Sequence, residues 1–286
     1  MRVVVTGVSG QLGYDVVKEL KKQGLTAVGL TRENLDITDE NQVMNTMREI
    51  NPEAVIHCAA YSAVDLAEEE TEKALRVNAL ATSYLAKACA KNHAKMLYVS
   101  TDYVFPGEGE KTYEPWDCAA PINWYGQTKY EGEQAVLREL KSYFIVRVSW
   151  VFGKNGKNFV RTMLRLSEER STVSVVADQI GSPTYTVDLA RCLAAMIKTE
   201  KYGTYHVTNE GFCSWYEFAK EIFRMSGKNI TVQPLTSEQF PTKAKRPKNS
   251  RLSKEKLIEQ GFERLPAWQD ALSRYLDELR AENFIS

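Results

Sequence analysis

The chain is poor in the residues that build metal centres and disulfide frameworks. Its 286 residues include five cysteines and three histidines. Cys58, Cys89, Cys118, Cys192 and Cys213 are scattered, odd in number and form no C-x-x-C, which excludes a zinc-ribbon pattern and fits reduced thiols in a cytoplasmic protein. His57, His93 and His206 stand alone, none at metal-ligand spacing, and each reads as structural. Neither sign of charge is in excess, with 37 Lys+Arg against 37 Asp+Glu, so no nucleic-acid or anionic-membrane surface is expected. There is no apolar run long enough to span a bilayer, no positively charged leader and no cleavage site, so neither insertion nor secretion is expected. Repeats and low-complexity tracts are lacking too. What remains is an ordinary globular composition, 43 % hydrophobic and 26 % charged, with enough chain for one large or two modest domains.

Strand-like and helix-like segments alternate from the start. Strands are expected at 2–6, 26–30, 54–58, 95–100 and 143–149, and helices at 11–23, 39–50, 71–92 and 123–141. Such β-α units imply a parallel sheet with helices on both faces, an α/β fold. Thr38 followed by Asp39 and Glu40 is a helix start with acids in its first turn. The stretch 101–122 holds Pro106, Gly107, Gly109, Pro115 and Pro121, and so reads as a long loop of the kind that often carries function. After residue 150 the regularity breaks at Gly153, Gly156 and Gly181-Ser182-Pro183. Short strands are expected at 173–176 and 203–207, with helices near 157–169, 187–198, 214–226 and 267–282. Lys243, Lys245, Arg246, Lys248 and Arg251 form a basic stretch that is either a solvated surface or a phosphate-facing wall of a cleft.

Two local patterns carry chemistry. The first is Val3-Val4-Val5-Thr6-Gly7-Val8-Ser9-Gly10-Gln11-Leu12-Gly13, a β-branched run, three glycines spaced by three, and a helix. Glycine permits a tight turn and close approach of backbone N–H groups to a pyrophosphate, with a helix N-terminus aimed at its charge. The spacing is not G-x-G-x-x-G, and a ligand-free glycine turn is the alternative; the order strand, loop, helix favours a dinucleotide. The second is Tyr125-x-x-x-Lys129. Residues four apart share a helix face, so the Lys129 ammonium can stand beside the Tyr125 phenol and favour its ionised form. A Ser or Thr hydroxyl from another element would complete a proton-transfer site. Strand two ends Leu30-Thr31-Arg32 without the acid that would repel a 2′-phosphate. Thr31 and Arg32 therefore point to NADP(H), with NAD(H) and a merely solvated Arg32 as the alternatives; Glu33 next door weakens the argument.

With these patterns in place the chain resembles the extended short-chain dehydrogenase/reductases. Ala59-Ala60-Tyr61-Ser62-Ala63-Val64-Asp65, Val77-Asn78, Ser100-Thr-Asp-Tyr-Val-Phe105, Tyr125-Gly-Gln-Thr-Lys129, Arg147-Val-Ser-Trp-Val-Phe-Gly153, Asp178-Gln-Ile-Gly-Ser-Pro-Thr184 and Arg246-Pro-x-x-Ser-Arg-Leu-Ser253 together resemble the dTDP-4-dehydrorhamnose reductase family, over nearly the whole chain. The resemblance implies a Rossmann-like doubly wound parallel sheet in a dinucleotide-binding domain, 1–150. It further implies a smaller, discontinuous substrate-binding region in 151–286, with some segments returning to the first domain. It implies that Tyr125 donates a proton to the substrate oxygen, that Lys129 lowers its pKa and holds the nicotinamide ribose, and that Thr101 hydrogen-bonds the reacting carbonyl. Gly7, Gly10, Gln11, Leu12 and Gly13 would take the pyrophosphate, Asp36 and Ile37 the adenine side, and Ala60, Tyr61 and Ser62 the cofactor segment after strand three. Asp102, Tyr103 and Trp150 would contact the deoxysugar nucleotide, although Trp150 reads equally as a core aromatic. Asn158 would lie near the diphosphate or simply cap a helix, and Asn78 would support the site or bond locally. Magnesium-bridged dimers occur in the family; Asp15 and Asp188 lie near the positions of the acids, but Val187 stands where another acid belongs, so the bridge is doubtful here. The expected partner is a dTDP-sugar, with the chain a monomer or homodimer. The rivals are a nucleotide-sugar epimerase or dehydratase of the same fold and a non-catalytic regulatory subunit; the intact Thr101, Tyr125 and Lys129 argue against the latter.

Overall fold

The computed structural model describes residues 1–285. Five β-branched or apolar runs form β1 (Arg2–Thr6), β2 (Thr26–Leu30), β3 (Ala54–His57), β4 (Lys95–Thr101) and β5 (Tyr143–Val148), and β6 (Gly203–His206) joins them from the second half of the chain. All their pairings are parallel, in the order 6-5-4-3-1-2, with Val4 opposite Val28 and Val55, and Val146 opposite Val99 and Tyr205. The order reverses between β1 and β3. Loops leaving these strands diverge there and open a crevice at the carboxyl ends.

Alternate residues of each strand feed opposite cores. Val3, Val5, Ile56, Leu97 and Val146 pack with Val16 and Leu20 of α1 (Gln11–Lys22) on one face. Val4, Val55, Met96, Tyr98 and Ile145 face the other side, against Val43 and Met47 of α2 (Glu40–Ile50), Leu85 and Ala86 of α3 (Ala81–Lys91) and Val136 of α4 (Trp124–Glu139). The helix expected over 71–92 is interrupted. Thr71–Leu75 passes into a π-turn at Arg76–Leu80 before α3 begins. Asp39 caps α2, accepting from Gln42 N at 3.0 Å.

The second half supplies α5 (Phe159–Glu169), α6 (Thr186–Met196), α7 (Trp215–Met225) and α8 (Trp268–Ala281). Leu189 and Leu193 of α6 join the α1 face of the sheet, and β6 extends its edge. A separate core gathers Phe152, Val160, Leu164, Phe218, Ile222, Leu272 and Leu276 around α5, α7 and α8. It carries a parallel pair, Thr172–Val176 with Thr231–Leu235, the latter strand not anticipated. The loop at 101–122 opens with a 3₁₀ turn at Asp102–Val104, and Phe105 stacks on Tyr113 at 4.3 Å over a small core with Leu252. The basic stretch straps the second half to the first by ion pairs. Arg246 holds Asp65 with two hydrogen bonds of 2.9 and 2.7 Å and Lys243 pairs with Glu69, while Lys248 meets Asp178 at 3.2 Å within the second half. None of its cations lines the cleft described below, so the phosphate-facing alternative does not hold.

Candidate active site

A cleft of about 1340 Å³ runs along the carboxyl ends of β1 to β5. One end is the glycine turn. Gly7 has φ +72°, and a Cβ there would sit 2.6 Å from Ala59 N; a Cβ on Gly13 would strike the Gly7 carbonyl. Only glycine fits both places, because helix, turn and strand approach backbone to backbone. Gly10 precedes α1 without a side-chain cap, so the first N–H groups of the helix are directed at the cleft with their partial positive charge. By contrast Asp39, Asn123, Asn158 and Ser214 cap α2, α4, α5 and α7. The donor set and shape of this turn fit a dinucleotide pyrophosphate.

Beside it lie Thr31, Arg32, Asp36 and Ile37 at the end of β2. The Thr31 hydroxyl donates to Asn34 Oδ1 at 2.8 Å, and Asp36 accepts from the Thr38 hydroxyl at 2.7 Å and its N–H at 3.0 Å. Those bonds hold the Asp36 carboxyl below its usual range, with Arg32 and Arg76 adding to the effect. Asp36 and Thr31 are thus engaged locally, while Arg32 stands exposed at the rim. Ala60, Tyr61 and Ser62 line the next stretch. Asn78, in the π-turn, brackets that segment: its Oδ1 accepts from Tyr61 N at 2.8 Å, and its Nδ2 donates to Tyr61 O at 3.1 Å and to Thr128 Oγ1 at 3.0 Å. It ties the cofactor loop to α4 and makes no merely local helix bond through its amide.

The middle of the cleft brings Thr101, Tyr125 and Lys129 together. Asn123 fixes the start of α4 by accepting from Gly126 N at 2.8 Å. Tyr103 meets the Tyr125 ring edge-on at 5.7 Å. Burial pushes the Tyr125 phenol up to about 12, with the Thr101 hydroxyl opposing it. Lys129, 2 % exposed, donates to the Val99 carbonyl at 2.7 Å and lies 4.0 Å from the Tyr98 ring centroid. Burial draws its ammonium down to about 7, and Glu133 resists the fall. The expected lowering of the phenol by Lys129 is not seen; desolvation dominates, and it acts on both groups against their charged forms. Asp102 Oδ1 accepts from the Thr101 hydroxyl at 3.0 Å, and Oδ2 has no hydrogen-bond partner among the described residues. Burial raises this carboxyl to about 6; Ser250 opposes the rise without a well-formed hydrogen bond. Cys58 also reaches the cleft, but burial pushes its thiol up to about 12, which makes it a poor nucleophile.

At the far end Trp150 stacks on Trp215 at 3.6 Å with 13° between planes. Trp150 holds φ +48°, unusual for a bulky residue, and both rings line the cleft while packing on the second core. Trp150 is therefore at once a core aromatic and a cleft wall. Asn158, unlike the other residues expected to contact cofactor or substrate, lies outside the lining. It caps α5, accepting from Arg161 N at 3.0 Å, and its Nδ2 donates to Gln11 Oε1, Gly153 O and Tyr275 OH at 2.8 to 3.0 Å. Its amide is fully engaged, so the cap geometry prevails over a diphosphate contact. Sequence reasoning passed over Trp215, Lys157, Lys73 and Arg76, which also line the cleft. Trp215 had no signal beyond opening an amphipathic helix.

A magnesium bridge does not fit the acids named for it. Asp188 receives two bonds from Arg274, at 2.8 and 2.7 Å, and one from Asn209 at 2.9 Å, while Asp15 accepts from the Thr186 hydroxyl at 2.5 Å. No cluster of three His, Cys, Asp or Glu with metal-binding geometry occurs among the described residues.

A parallel sheet with a glycine turn at its switch point, and a Tyr-x-x-x-Lys helix facing the same cleft, defines a nucleotide-dependent reductase of the short-chain dehydrogenase type. More particularly, the chain belongs to the RmlD substrate binding domain family, whose model matches residues 1–281. It is 42 % identical to a dTDP-4-dehydrorhamnose reductase of Aggregatibacter actinomycetemcomitans, covering 95 % of this chain and 97 % of that one. It is 39 % identical to the spore coat polysaccharide biosynthesis protein SpsK of Bacillus subtilis, with 97 % of each chain covered. Its fold matches the crystal structure of a dTDP-4-dehydrorhamnose reductase of Bacillus anthracis in complex with NADP, with a TM-score of 0.95, 46 % identity, and 97 % and 99 % of the two chains covered.

Proposed function

We propose that this protein reduces the C4 keto group of dTDP-4-dehydro-β-L-rhamnose to the alcohol of dTDP-β-L-rhamnose, using NADPH, as a cytoplasmic monomer or homodimer. The observation that carries the reading is the convergence of the glycine turn, Thr101, Tyr125 and Lys129 on one cleft. When bound, the reduced nicotinamide supplies the hydride that reaches C4. Thr101 orients the carbonyl oxygen, and Tyr125 delivers its phenolic proton to that oxygen as it gains negative charge. Lys129 holds the ribose and supplies positive charge beside the phenol. Asp102, Tyr103 and the Trp150–Trp215 stack shape the sugar end, and Gly10, Gln11 and Leu12 the pyrophosphate end. The exposed guanidinium of Arg32 is suited to the 2′-phosphate of NADPH.

The test is NADPH oxidation by the purified protein with dTDP-4-dehydro-6-deoxyglucose, with and without a 3,5-epimerase. Turnover that needs the epimerase, with dTDP-rhamnose as product, is expected. Turnover without it would assign a different 4-keto sugar. Protein that arrives with nicotinamide tightly bound and interconverts sugars without consuming NADPH would instead be an epimerase or dehydratase.

A further inference from the structure

Tyr125, Lys129 and Glu133 are spaced by four along α4 and so share one face of the helix. The third of them has no place in the chemistry described above, yet it is 1 % exposed. Its partner is Arg147 on β5, itself 5 % exposed, which donates from Nε at 2.9 Å and from Nη2 at 2.7 Å to the two carboxylate oxygens. Ser100, the residue before Thr101, donates its hydroxyl to Glu133 Oε1 at 2.6 Å. Arg147 is completed by the Pro115 carbonyl at 3.2 Å and by the Phe105 ring at 4.9 Å. Buried ion pairs can often be replaced by apolar residues without loss of stability, so stability alone does not account for this one.

Resting on the assignment of Lys129 above, we propose that Glu133 is a positioning residue of the reduction: anchored by Arg147 and Ser100, its buried carboxylate keeps the Lys129 ammonium charged and ties the Thr101 strand to the Tyr125 helix.

The electrostatics agree with this placement. Burial opposes the charge on Lys129, and Glu133 is the leading group that sustains it. The other ionisable groups facing Lys129 are neutral near pH 7. Burial holds His57 of β3 down to about 3, keeps Cys58 and Tyr125 up at about 12, and puts Tyr98 of β4 well above its ordinary value. On the far side of the pair, His206 of β6 is buried with its pKa well below its ordinary value and stays neutral. Glu133 is thus the charged neighbour of Lys129 among the described residues.

The experiment is the pH profile of kcat/KM for Glu133→Gln, for the double variant Glu133→Gln/Arg147→Met, and for the conservative Glu133→Asp. Activity should fall on the alkaline side as Lys129 loses its proton. Removing the carboxylate should move that limb to lower pH by about one unit, the low end of the effect of a close opposite charge. Glu133→Asp should restore it toward the wild-type position. Because Glu133→Gln leaves Arg147 buried and unpaired, the double variant carries the test where the single one does not fold. A double variant that melts with the wild type and keeps the wild-type limb overturns the proposal. Lys129→Met separates the two levels of the argument. If it retains near wild-type turnover, the assignment of Lys129 is wrong; if it is inactive while the limb of the double variant is unmoved, only the role of Glu133 is wrong.

Discussion

At the scale of single residues, the direction of the Tyr125 shift suits reduction. A phenol held at about 12 is protonated at neutral pH, the form a proton donor must have. The alkoxide formed at C4 has a conjugate acid about as weak as water, roughly 15.7, so transfer from the phenol is downhill even though the phenol is a weak acid in the resting protein. Tyr125→Phe keeps the ring and its edge-on contact with Tyr103 but removes the proton. It should lower kcat by roughly 10²–10⁴-fold, the scale of general acid catalysis, with NADPH affinity nearly unchanged; near wild-type turnover would remove Tyr125 from its role. Arg32 acts at the other end of the cleft. Thr31 and Asp36 are tied to Asn34 and Thr38, so the guanidinium is the group on β2's end left to read a 2′-phosphate. Arg32→Ala should weaken NADPH about ten- to a hundredfold while leaving NADH nearly untouched, the scale of a charge-assisted hydrogen bond. Steady-state kinetics with both cofactors decide it, and an unchanged NADPH/NADH ratio would exclude Arg32 as the discriminator.

At the scale of elements, α4 works because it lies unusually close to its neighbours. A Cβ on Gly126 would strike the Tyr103 carbonyl, and one on Gly132 would meet the Asn78 carbonyl at 2.5 Å and the Tyr98 hydroxyl. Two effects compete in Gly132→Ala. Helix propensity favours alanine by about 1 kcal/mol. Overpacking against a backbone carbonyl, which cannot swing aside as a side chain can, costs about 1–3 kcal/mol. The second should win, so denaturant unfolding should show a net loss of stability, with turnover reduced as Lys129 is pushed off Tyr98. A more stable variant would show that the close approach is not maintained. The element scale is also where the sequence reads best and then fails. Tyr125 and Lys129 were visible because their spacing lies within one helix. Glu133 was not, since its meaning depends on Arg147 in another strand. The π-turn at Arg76–Leu80 leaves no mark in a run that otherwise reads as one helix, yet it lies where Asn78 reaches Tyr61. Thr231–Leu235 had no reading from sequence; it carries Pro234, and forms one side of an isolated two-stranded pair, where a missing N–H can be tolerated.

At the scale of the whole molecule, the two cores meet around the cleft, and the parts that join them were the least legible. The β-α alternation up to residue 150 was readable because a parallel sheet buries both faces of each strand. That β6 and α6 return to that sheet follows from packing of Leu189, Leu193 and Tyr205, which no local spacing announces. The same close burial governs how the whole fold responds to pH. His57 is held to about 3 against an ordinary 6.5, and His206 is shifted the same way. Between about pH 6.5 and 3 the unfolded chain therefore binds protons that the folded chain refuses, and stability falls as pH falls. Asp102 works in the opposite sense: raised to about 6 from 3.8, it takes up a proton in the folded state first, which favours the fold as pH drops through that window. Lys129, drawn to about 7 from 10.5, makes stability rise with pH above neutrality. Cys58 and Cys89, raised to about 12 from 9.0, remain protonated when the unfolded chain begins to ionise, so stability declines again above about pH 9. Two histidines, together with carboxyls held below their ordinary range such as Asp36 and Asp65, outweigh the raised carboxyls of Asp102 and Asp15 and leave a net loss on the acid side, and the melting temperature should be highest between about pH 7 and 9. His57→Gln can keep a hydrogen bond to Thr6 or Thr82 without a titrating group, and should make the acid-side decline shallower. Thermal melts of the two proteins across pH 4 to 9 read this directly. Parallel slopes would place the acid sensitivity in groups other than His57, and a maximum below pH 6 would mean that the raised carboxyls of Asp102 and Asp15 outweigh the histidines.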